Sequence, residues 1–250
     1  NIKNFEINQK VDNTDINKTI NYWSIKKLEL IDDKKIWLEL ITNKIITDSI
    51  FNLKWVKNID LYYYTITFLA YLNIFKSNRE LLRDISEAGK IAPKTFYDYI
   101  DFSLQEKIIH KIELFDFKKN KIINWKNKYY FWDNWIRNYL CNFWLNKKIL
   151  TENLIFILLK YNNYNILWWK NWVFEFSFIW KKEDNTIYIH ISSEEESLEI
   201  KKEVNKLLKI WDKNKKYLLV ENLKELNIKK LIYEEVEIVD INDFILKKSL

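Results

Sequence analysis

Apolar residues recur at helical spacing near the start of the chain. Between residues 34 and 51 one stripe falls at positions i, i+4, i+5 and i+9, formed by Ile36, Leu40, Ile41 and Ile45. This spacing places the four side chains on one face of a helix. The pattern therefore predicts an amphipathic helix that follows a polar, Asn-rich segment over residues 1–20.

Three more helices are predicted after this one. The first begins near Asp60 and runs to about Leu72, and the second covers residues 79–87 with Asn78 as its cap. The third begins at Pro93, which suits a first helical turn because no intrahelical acceptor exists there for the N–H that proline lacks.

Two β-like runs follow these helices, at residues 108–117 and 128–131, and a polar segment over residues 118–127 separates them. Helices joined by a short turn and followed by two strands are typical of the winged helix, a helix-turn-helix variant. We therefore predict a winged helix-turn-helix over residues 59–131. In such modules the second helix of the pair often enters the major groove of DNA.

The candidate DNA-binding residues lie at the start of that second helix. They are Lys90, Lys94, Thr95 and Tyr97. Asp98 and Asp101 on the same helix repel phosphate and weaken the attraction to DNA. Helix-turn-helix modules also dock proteins, so DNA and a protein partner both stay open as ligands.

Strands alternate with helices in the last third of the chain. One helix is predicted with Thr151 as its cap, Glu152 in its first turn and a buried apolar run at residues 154–159. The predicted strands are at residues 164–168, 173–179, 187–191, 217–220 and 236–239. Ser193 and Glu196 form a capping box for a helix between the third and fourth of these strands. The pattern indicates an α+β or α/β fold with a mixed sheet flanked by helices.

Composition restricts the class of protein. The 250 residues are 48% apolar, which suffices for one large or two smaller domains. The apolar runs are too short to span a bilayer, and no segment is laid out like a signal peptide. The single cysteine, Cys141, excludes an internal disulfide framework, so we predict a small buried thiol in a cytoplasmic protein. The chain contains no Met and is expected to be a fragment or a processed product.

The formal net charge is +6, from 41 basic and 35 acidic residues that are interspersed along the chain. A positive charge favours an anionic partner such as nucleic acid. The abundance of Lys, Asn and Ile is also what an AT-rich genome encodes, so the charge alone does not decide for DNA.

Glycine is nearly absent and tryptophan is abundant, with one Gly and 12 Trp. The dipeptides Asn134–Trp135 and Asn171–Trp172 stand between apolar runs, where turns with positive φ usually hold Gly. We hypothesise that several Trp residues are translated from a codon that the source organism reads as Gly; ordinary core aromatics are the alternative. On the recoding hypothesis Trp135 and Trp172 lie at turns and are exposed.

Five short segments, in order along the chain, resemble segments of one protein family. Residues 129–138 resemble K-x-Y-F-x-D-x-G-x-R-N, residues 151–156 resemble x-E-N-L-V-F, residues 174–178 resemble x-E-V-D-F, residues 187–192 resemble x-Y-I-Q-V-S, and residues 21–24 resemble a Y-G-G turn. Over residues 20–246 the chain therefore resembles the C-terminal region of bacterial and archaeal AAA-type ATPases. These carry a winged helix and a C-terminal restriction-endonuclease-like domain of unknown function. Two of the motifs have Gly where this chain has Trp23 and Trp135.

The resemblance implies a division into three parts. Residues 1–58 are expected to be a helical tether to a missing ATPase module, residues 59–131 the winged helix, and residues 132–250 an inactive restriction-endonuclease-like domain. A G-x-x-x-x-G-K-[ST] motif cannot occur in a chain with one Gly, so this segment is not expected to hydrolyse ATP. ATP and Mg²⁺ are implied as cofactors of the parent protein only.

The resemblance also locates the positions at which an active nuclease holds Mg²⁺. Active relatives are expected to have Asp, Glu and Lys where this chain has Ser177, His190 and Ser192. The remaining carboxylates, Glu152 and Glu175, make a poor magnesium site because a hard dication takes several oxygen ligands. We therefore expect neither cleavage nor a bound metal, and interpret the decayed site as a binding platform.

Two other functions stay open: an active metal-dependent nuclease with an unusual site, and a protein-interaction module without a nucleic-acid role. For His190, a partly buried strand histidine is favoured over a zinc ligand, because no Cys or His cluster accompanies it. Arg137 is predicted to pair with Asp133, four residues earlier; contact with phosphate or a partner is the alternative.

Overall fold

The structure is a computed structural model. It describes residues 36, 40, 43, 56, 58–72, 74, 76–88, 91–116, 121–142, 144, 146–161, 165–170, 175–182, 185–192, 197–210, 212–223 and 235–248. The chain divides into two compact units. The first unit comprises Asn1–Lys111 with Trp125–Leu154, and the second unit comprises Ile112–Asn124 with Ile155–Leu250.

Three helices precede the strands of the first unit: α1 (Ile59–Tyr71), α2 (Asn78–Ala88) and α3 (Pro93–Gln105). Asn58 caps α1 by accepting a hydrogen bond from the Leu61 N–H at 2.9 Å. Ser77 caps α2 in a capping box with Glu80, whose carboxylate accepts from the Ser77 N–H at 2.7 Å. The three predicted helices are confirmed, but the predicted cap at Asn78 is wrong.

Two strands follow, β1 (Ile109–Asp116) and β2 (Lys121–Phe131). β2 is longer than the strand predicted at residues 128–131, because the preceding polar residues also adopt extended backbone. Lys121 and Trp125 are exposed, and β2 is an edge strand of the described sheet. Polar side chains on the solvated face of an edge strand lose little hydration, so the apolar alternation is weak there.

Helices α4 (Asn134–Leu140) and α5 (Lys147–Tyr161) come next. The turn predicted at Asn134 and Trp135 is wrong, because Asp133 caps α4 there by accepting from the Trp135 N–H at 3.3 Å. The cap predicted at Thr151 is also wrong. Asn146 caps α5 one turn earlier, and Thr151 lies inside the helix.

The remaining elements are β3 (Asn165–Lys170), β4 (Glu175–Lys182), β5 (Asn185–Ile191), α6 (Ser197–Leu208), β6 (Lys215–Val220), β7 (Val236–Asp240) and α7 (Ile241–Lys248). The seven described strands form one sheet in the order β2-β1-β3-β4-β5-β6-β7. β4 is antiparallel to β3 and to β5, whereas the β1–β3, β5–β6 and β6–β7 pairs are parallel. The predicted mixed sheet with helices around it is confirmed, and α7 is an addition to the prediction.

Each unit has its own apolar core. In the first unit α1, α2, α3 and α4 bury apolar side chains together with residues of β1 and β2, and Tyr62 and Phe96 are fully buried. In the second unit Val204 and Leu207 of α6 pack on the sheet around Ile179. Their i, i+3 spacing is the apolar stripe that predicted this helix.

Several predictions fall wholly or partly outside the described residues. In the predicted first helix, Ile36 and Leu40 are helical but exposed, and Ile41 and Ile45 are not described. The segment at residues 21–24 and the residues Lys90, Trp172, Ser193 and Glu196 also lie outside the described part. None of the helices in the described ranges is long and apolar enough to cross a membrane.

Candidate functional site

Glu152, which the family resemblance predicts to be a vestigial nuclease position, is buried inside the first unit. Its carboxylate forms an ion pair with Lys128 of β2 and accepts a hydrogen bond from the Tyr130 hydroxyl. The side chains of Lys128 and Glu152 are 3% and 6% exposed. The carboxylate is therefore neutralised by a neighbouring ammonium group, an arrangement that joins α5 to β2.

An amide network next to Glu152 joins the same elements. Asn153 accepts from the Phe131 N–H at 2.8 Å and donates to the Phe131 carbonyl at 3.0 Å. It also donates to Asn134, whose own amide donates to the Leu150 carbonyl at 2.9 Å. Two segments that resemble the family, at residues 129–138 and 151–156, thus meet in a buried hydrogen-bonded cluster. Such a cluster holds the end of β2 and the start of α4 against α5.

The second unit contains His190 and Ser192, two more of the predicted vestigial positions, and both side chains interact with Glu203 of α6. His190 Nε2 lies 3.5 Å from Glu203 Oε1, with both side chains mostly buried. Burial opposes ionisation of Glu203, but hydrogen bonds with His190 and Ser192 outweigh it and hold the pKa of the carboxyl below its ordinary value. His190 is a partly buried strand histidine, as predicted.

Glu203 was not among the residues predicted for this site. The residue precedes Val204 on α6, so its position beside an apolar stripe is the one signal that the pattern contains. Glu175 and Ser177 lie on β4, where Phe178 pairs with Ile189 of β5, and their side chains are outside the described part.

No metal centre is apparent in the residues that can be assessed. Within the described ranges no group of three or more His, Cys, Asp or Glu side chains is placed to hold an ion. Of the two carboxylates predicted as vestigial positions, the one whose side chain is described, Glu152, is engaged with Lys128, and the neighbouring Glu203 is engaged with His190 and Ser192. These contacts join α5 to β2 and α6 to β5.

The candidate DNA-binding residues that are described lie on the first two turns of α3. Lys94 and Tyr97 are exposed, and Thr95 is half-buried. The opposite face of α3 is buried in the core of the first unit through Phe96, Tyr99, Ile100, Phe102 and Ser103. Asp98 and Asp101 are exposed as well, so the solvent face of α3 carries both signs of charge.

The first unit also exposes an aromatic side chain on β2 that the sequence did not single out. Trp125 is 62% exposed, and Lys126 Nζ lies 5.0 Å from the centre of its ring. An exposed indole with an adjacent cation offers a stacking surface and a charge for phosphate.

The exposure expected for Trp135 is wrong. Trp135 is 4% exposed and belongs to the core of the first unit, at the start of α4. The described residues with positive φ are Lys107, Asn142 and Asn222. The backbone at Trp135 is helical, with negative φ, so this position does not require Gly.

The ion pair predicted between Arg137 and Asp133 is also wrong. Asp133 caps α4, and Arg137 is buried with its guanidinium near Asn138 and Trp144. Cys141 is buried as predicted, and burial raises the pKa of its thiol to about 11.

Comparisons with protein families, with curated proteins and with solved structures find no match to this chain.

Proposed function

We propose that this chain is a non-catalytic binding region that holds duplex DNA through a winged helix, with the sheet of the second unit as its platform. The observation that carries the proposal is α3, which is buried along one face and exposes Lys94 and Tyr97 on the other. A helix anchored in this way can be inserted into a groove without unfolding its own core.

The order of elements in the first unit supports a winged helix. Helix α1 is followed by the short bridge between Lys76 and Asn127, then by α2 and α3, then by the neighbouring strands β1 and β2. The Tyr129 hydroxyl donates to Asn78 at 2.9 Å, which ties β2 to the start of α2. The exposed Trp125 and the half-buried Lys126 on β2 add a second contact surface on the strand pair.

The second unit supports an endonuclease-like sheet. Helix α5 leads into three antiparallel strands, and α6 leads into β6, which is parallel to β5. This helix, three-strand, helix, strand order is that of restriction-endonuclease-like cores. The Ser and His residues at the positions that need carboxylates and Lys argue for binding without cleavage.

The resemblance to AAA-type ATPases extends the proposal to the parent protein. There the region would follow an ATPase module that uses ATP and Mg²⁺, and it would hold the DNA on which that module acts. A protein partner is the second candidate, favoured by the exposed Asp98 and Asp101 on the same face as Lys94.

Fluorescence anisotropy of a labelled duplex, titrated between about 50 and 200 mM salt, tests the proposal because counterion release makes DNA affinity fall steeply with salt. Lys94→Ala should weaken binding to all sequences and reduce the salt slope by about 1. Lys148→Ala is the matched control, since Lys148 is an exposed lysine of α5 in the same unit.

Substitution of the acidic residues Asp98 and Asp101 distinguishes a DNA ligand from a protein partner. The double substitution Asp98→Asn with Asp101→Asn should tighten binding to DNA, because it removes two charges that repel phosphate. The same variant should bind less tightly to a protein partner that pairs with those carboxylates. Absence of salt-dependent DNA binding by the unmodified chain would exclude the DNA proposal.

A further inference from the structure

Arg137 is a buried cation, and two of its three guanidinium nitrogens have no hydrogen-bond partner among the described residues. The side chain is 1% exposed, and Nη1 makes one long hydrogen bond, 3.4 Å, to Asn138 Oδ1. Nε and Nη2 are both buried without a hydrogen-bond partner in the part of the chain that the structure describes. An unpaired buried guanidinium is costly, since it has given up hydration without gaining an acceptor.

The two unsatisfied groups belong to one edge of the guanidinium. The Nε–H and Nη2–H bonds point the same way, with a spacing that matches the two oxygens of a carboxylate or of a phosphate. These donors therefore form the pair that a single carboxylate or phosphate can accept from in a bidentate arrangement, which we call the fork. Burial lowers the pKa of Arg137 from its ordinary value, but a guanidinium stays protonated at neutral pH.

Two half-exposed aromatic rings of the first unit, those of Tyr71 and Trp144, lie close to the guanidinium. The Trp144 ring centre is 5.9 Å from Arg137 Cζ, and the Tyr71 and Trp144 ring centres are 5.8 Å apart at an interplanar angle of 31°. Tyr71 and Trp144 are 47% and 50% exposed. The Tyr71 hydroxyl donates to the Cys141 carbonyl at 3.2 Å, which holds the Tyr71 ring in place.

Charge selects between the two oxyanions that fit the fork. Among the described residues, the titratable groups that act on Arg137 are the Cys141 thiol and the Tyr71 phenol, so no carboxylate or ammonium group there adds to or offsets its single positive charge. A carboxylate carries one negative charge, whereas a phosphate monoester carries about −1.5 to −2 at pH 7. The single guanidinium therefore balances a carboxylate and leaves a phosphate partly uncompensated.

We propose that the Nε and Nη2 edge of Arg137 receives one carboxylate of a ligand whose apolar or aromatic part stacks on Tyr71 and Trp144. The ligand class is an aromatic or apolar carboxylic acid, either free or as an acidic residue next to an aromatic one in a polypeptide. The site is separate from the exposed face of α3 and does not depend on DNA binding.

Arginine side-chain NMR tests the proposal directly. The chain has three arginines, Arg79, Arg83 and Arg137, so ¹⁵N-arginine labelling yields three Hε–Nε signals, and Arg137→Lys assigns the third. Benzoate should shift the Arg137 signal and slow its exchange with water, while Arg79 and Arg83 stay unchanged. Benzamide, which has the same ring without the charge, should leave all three signals unchanged.

Two variants and two further probes sharpen the test. Arg137→Lys keeps the charge and loses the fork, so benzoate affinity should fall roughly tenfold or more. Trp144→Ala should remove the advantage of benzoate over acetate, roughly three- to tenfold. A blocked dipeptide of glutamate and phenylalanine that binds more tightly than benzoate assigns the site to a polypeptide; the reverse order assigns it to a free acid.

Three results would overturn the proposal. One is an Arg137 signal that ignores benzoate at saturating concentration. Another is an equal response to benzamide, which would show that the charge plays no part. The third is tighter binding of phenyl phosphate than of benzoate, which would contradict the charge argument. All three are read on the unmodified chain, and if Arg137→Lys does not fold, Arg79→Lys and Arg83→Lys at exposed positions assign the Arg137 signal by elimination.

Discussion

Lys128 and Glu152 form an ion pair inside the core of the first unit, and the Tyr130 hydroxyl donates to the same carboxylate. A carboxylate and an ammonium buried together stabilise the fold only while both are present. Glu152 also occupies a position at which the family resemblance expects part of a nuclease site. The pairing gives it a structural role instead.

Removing one member of the pair should be more harmful than removing both. Lys128→Met strands a buried carboxylate and should lower the free energy of unfolding by about 3–5 kcal/mol, whereas Lys128→Met with Glu152→Leu should lower it by less. Urea unfolding followed by circular dichroism measures both. Lys202→Met breaks the exposed pair with Glu199 and should change stability by at most about 1 kcal/mol. Additive losses in the double variant would contradict the pairing.

The lowered pKa of Glu203 predicts that the second unit loses stability at acidic pH. Its folded pKa lies below the ordinary value of 4.5 in spite of burial, because hydrogen bonds with His190 and Ser192 favour the carboxylate. The stabilisation is therefore fully present above pH 4.5 and is lost as pH falls through the folded pKa. Melting temperatures from pH 7 to pH 3 should drop in the acid range, and Glu203→Gln should reduce that drop.

Glu199→Gln is the control for Glu203→Gln. Glu199 lies on the same helix but is 38% exposed and pairs with Lys202 near the surface. Its substitution should leave the acid part of the melting profile nearly unchanged. Identical profiles for Glu203→Gln and the unmodified chain would show that the carboxylate does not carry the effect.

The purified chain should not cut DNA. Supercoiled plasmid incubated with Mg²⁺ should stay intact, because Ser177, His190 and Ser192 supply neither the negative charge nor the Lys that metal-dependent cleavage needs. Gel electrophoresis of the plasmid measures this. Cleavage that survives Glu175→Ala points to contamination, while cleavage that Glu175→Ala abolishes would establish an active nuclease.

Substitution of Trp135 distinguishes the two hypotheses for this residue, a core aromatic or a glycine that is read as Trp. Because Trp135 is buried in the core, Trp135→Gly should cost roughly 3–5 kcal/mol of stability, while Trp125→Gly on an exposed strand should cost about 1 kcal/mol. Chemical unfolding of both variants measures the difference. A Trp135→Gly chain as stable as the original would support recoding, as would TGA codons at positions 135 and 172.

Long apolar stripes were predicted well, and polar contacts were not. The helices around Phe96 and Val204 follow from spacing alone, since an amphipathic stripe has only one way to be buried. The pairing of Arg137 with Asp133 is also a spacing argument, yet it fails. A charged side chain has several partners within reach, and the cap of α4 competes for the Asp133 carboxylate.

In the candidate site, too, individual residues were predicted but their polar contacts were not. Sequence resemblance named His190 and Ser192 but missed Glu203, which reaches them only because α6 packs back on the sheet. It named Glu152 but not the Lys128 and Tyr130 that engage it, because those residues lie more than 20 positions earlier in the chain.

The sequence by itself determined the element types, the mixed sheet and the neutral or weakly basic residues Ser177, His190 and Ser192 at the positions that the resemblance assigns to a nuclease site. These depend on local periodicity and on residue chemistry. Only the tertiary structure decided that Glu152 is neutralised, that Trp135 is buried and that Arg137 has a donor edge without a partner among the described residues. The fate of a polar group in a core depends on which distant residues the packing brings within hydrogen-bond distance, and no local pattern encodes that.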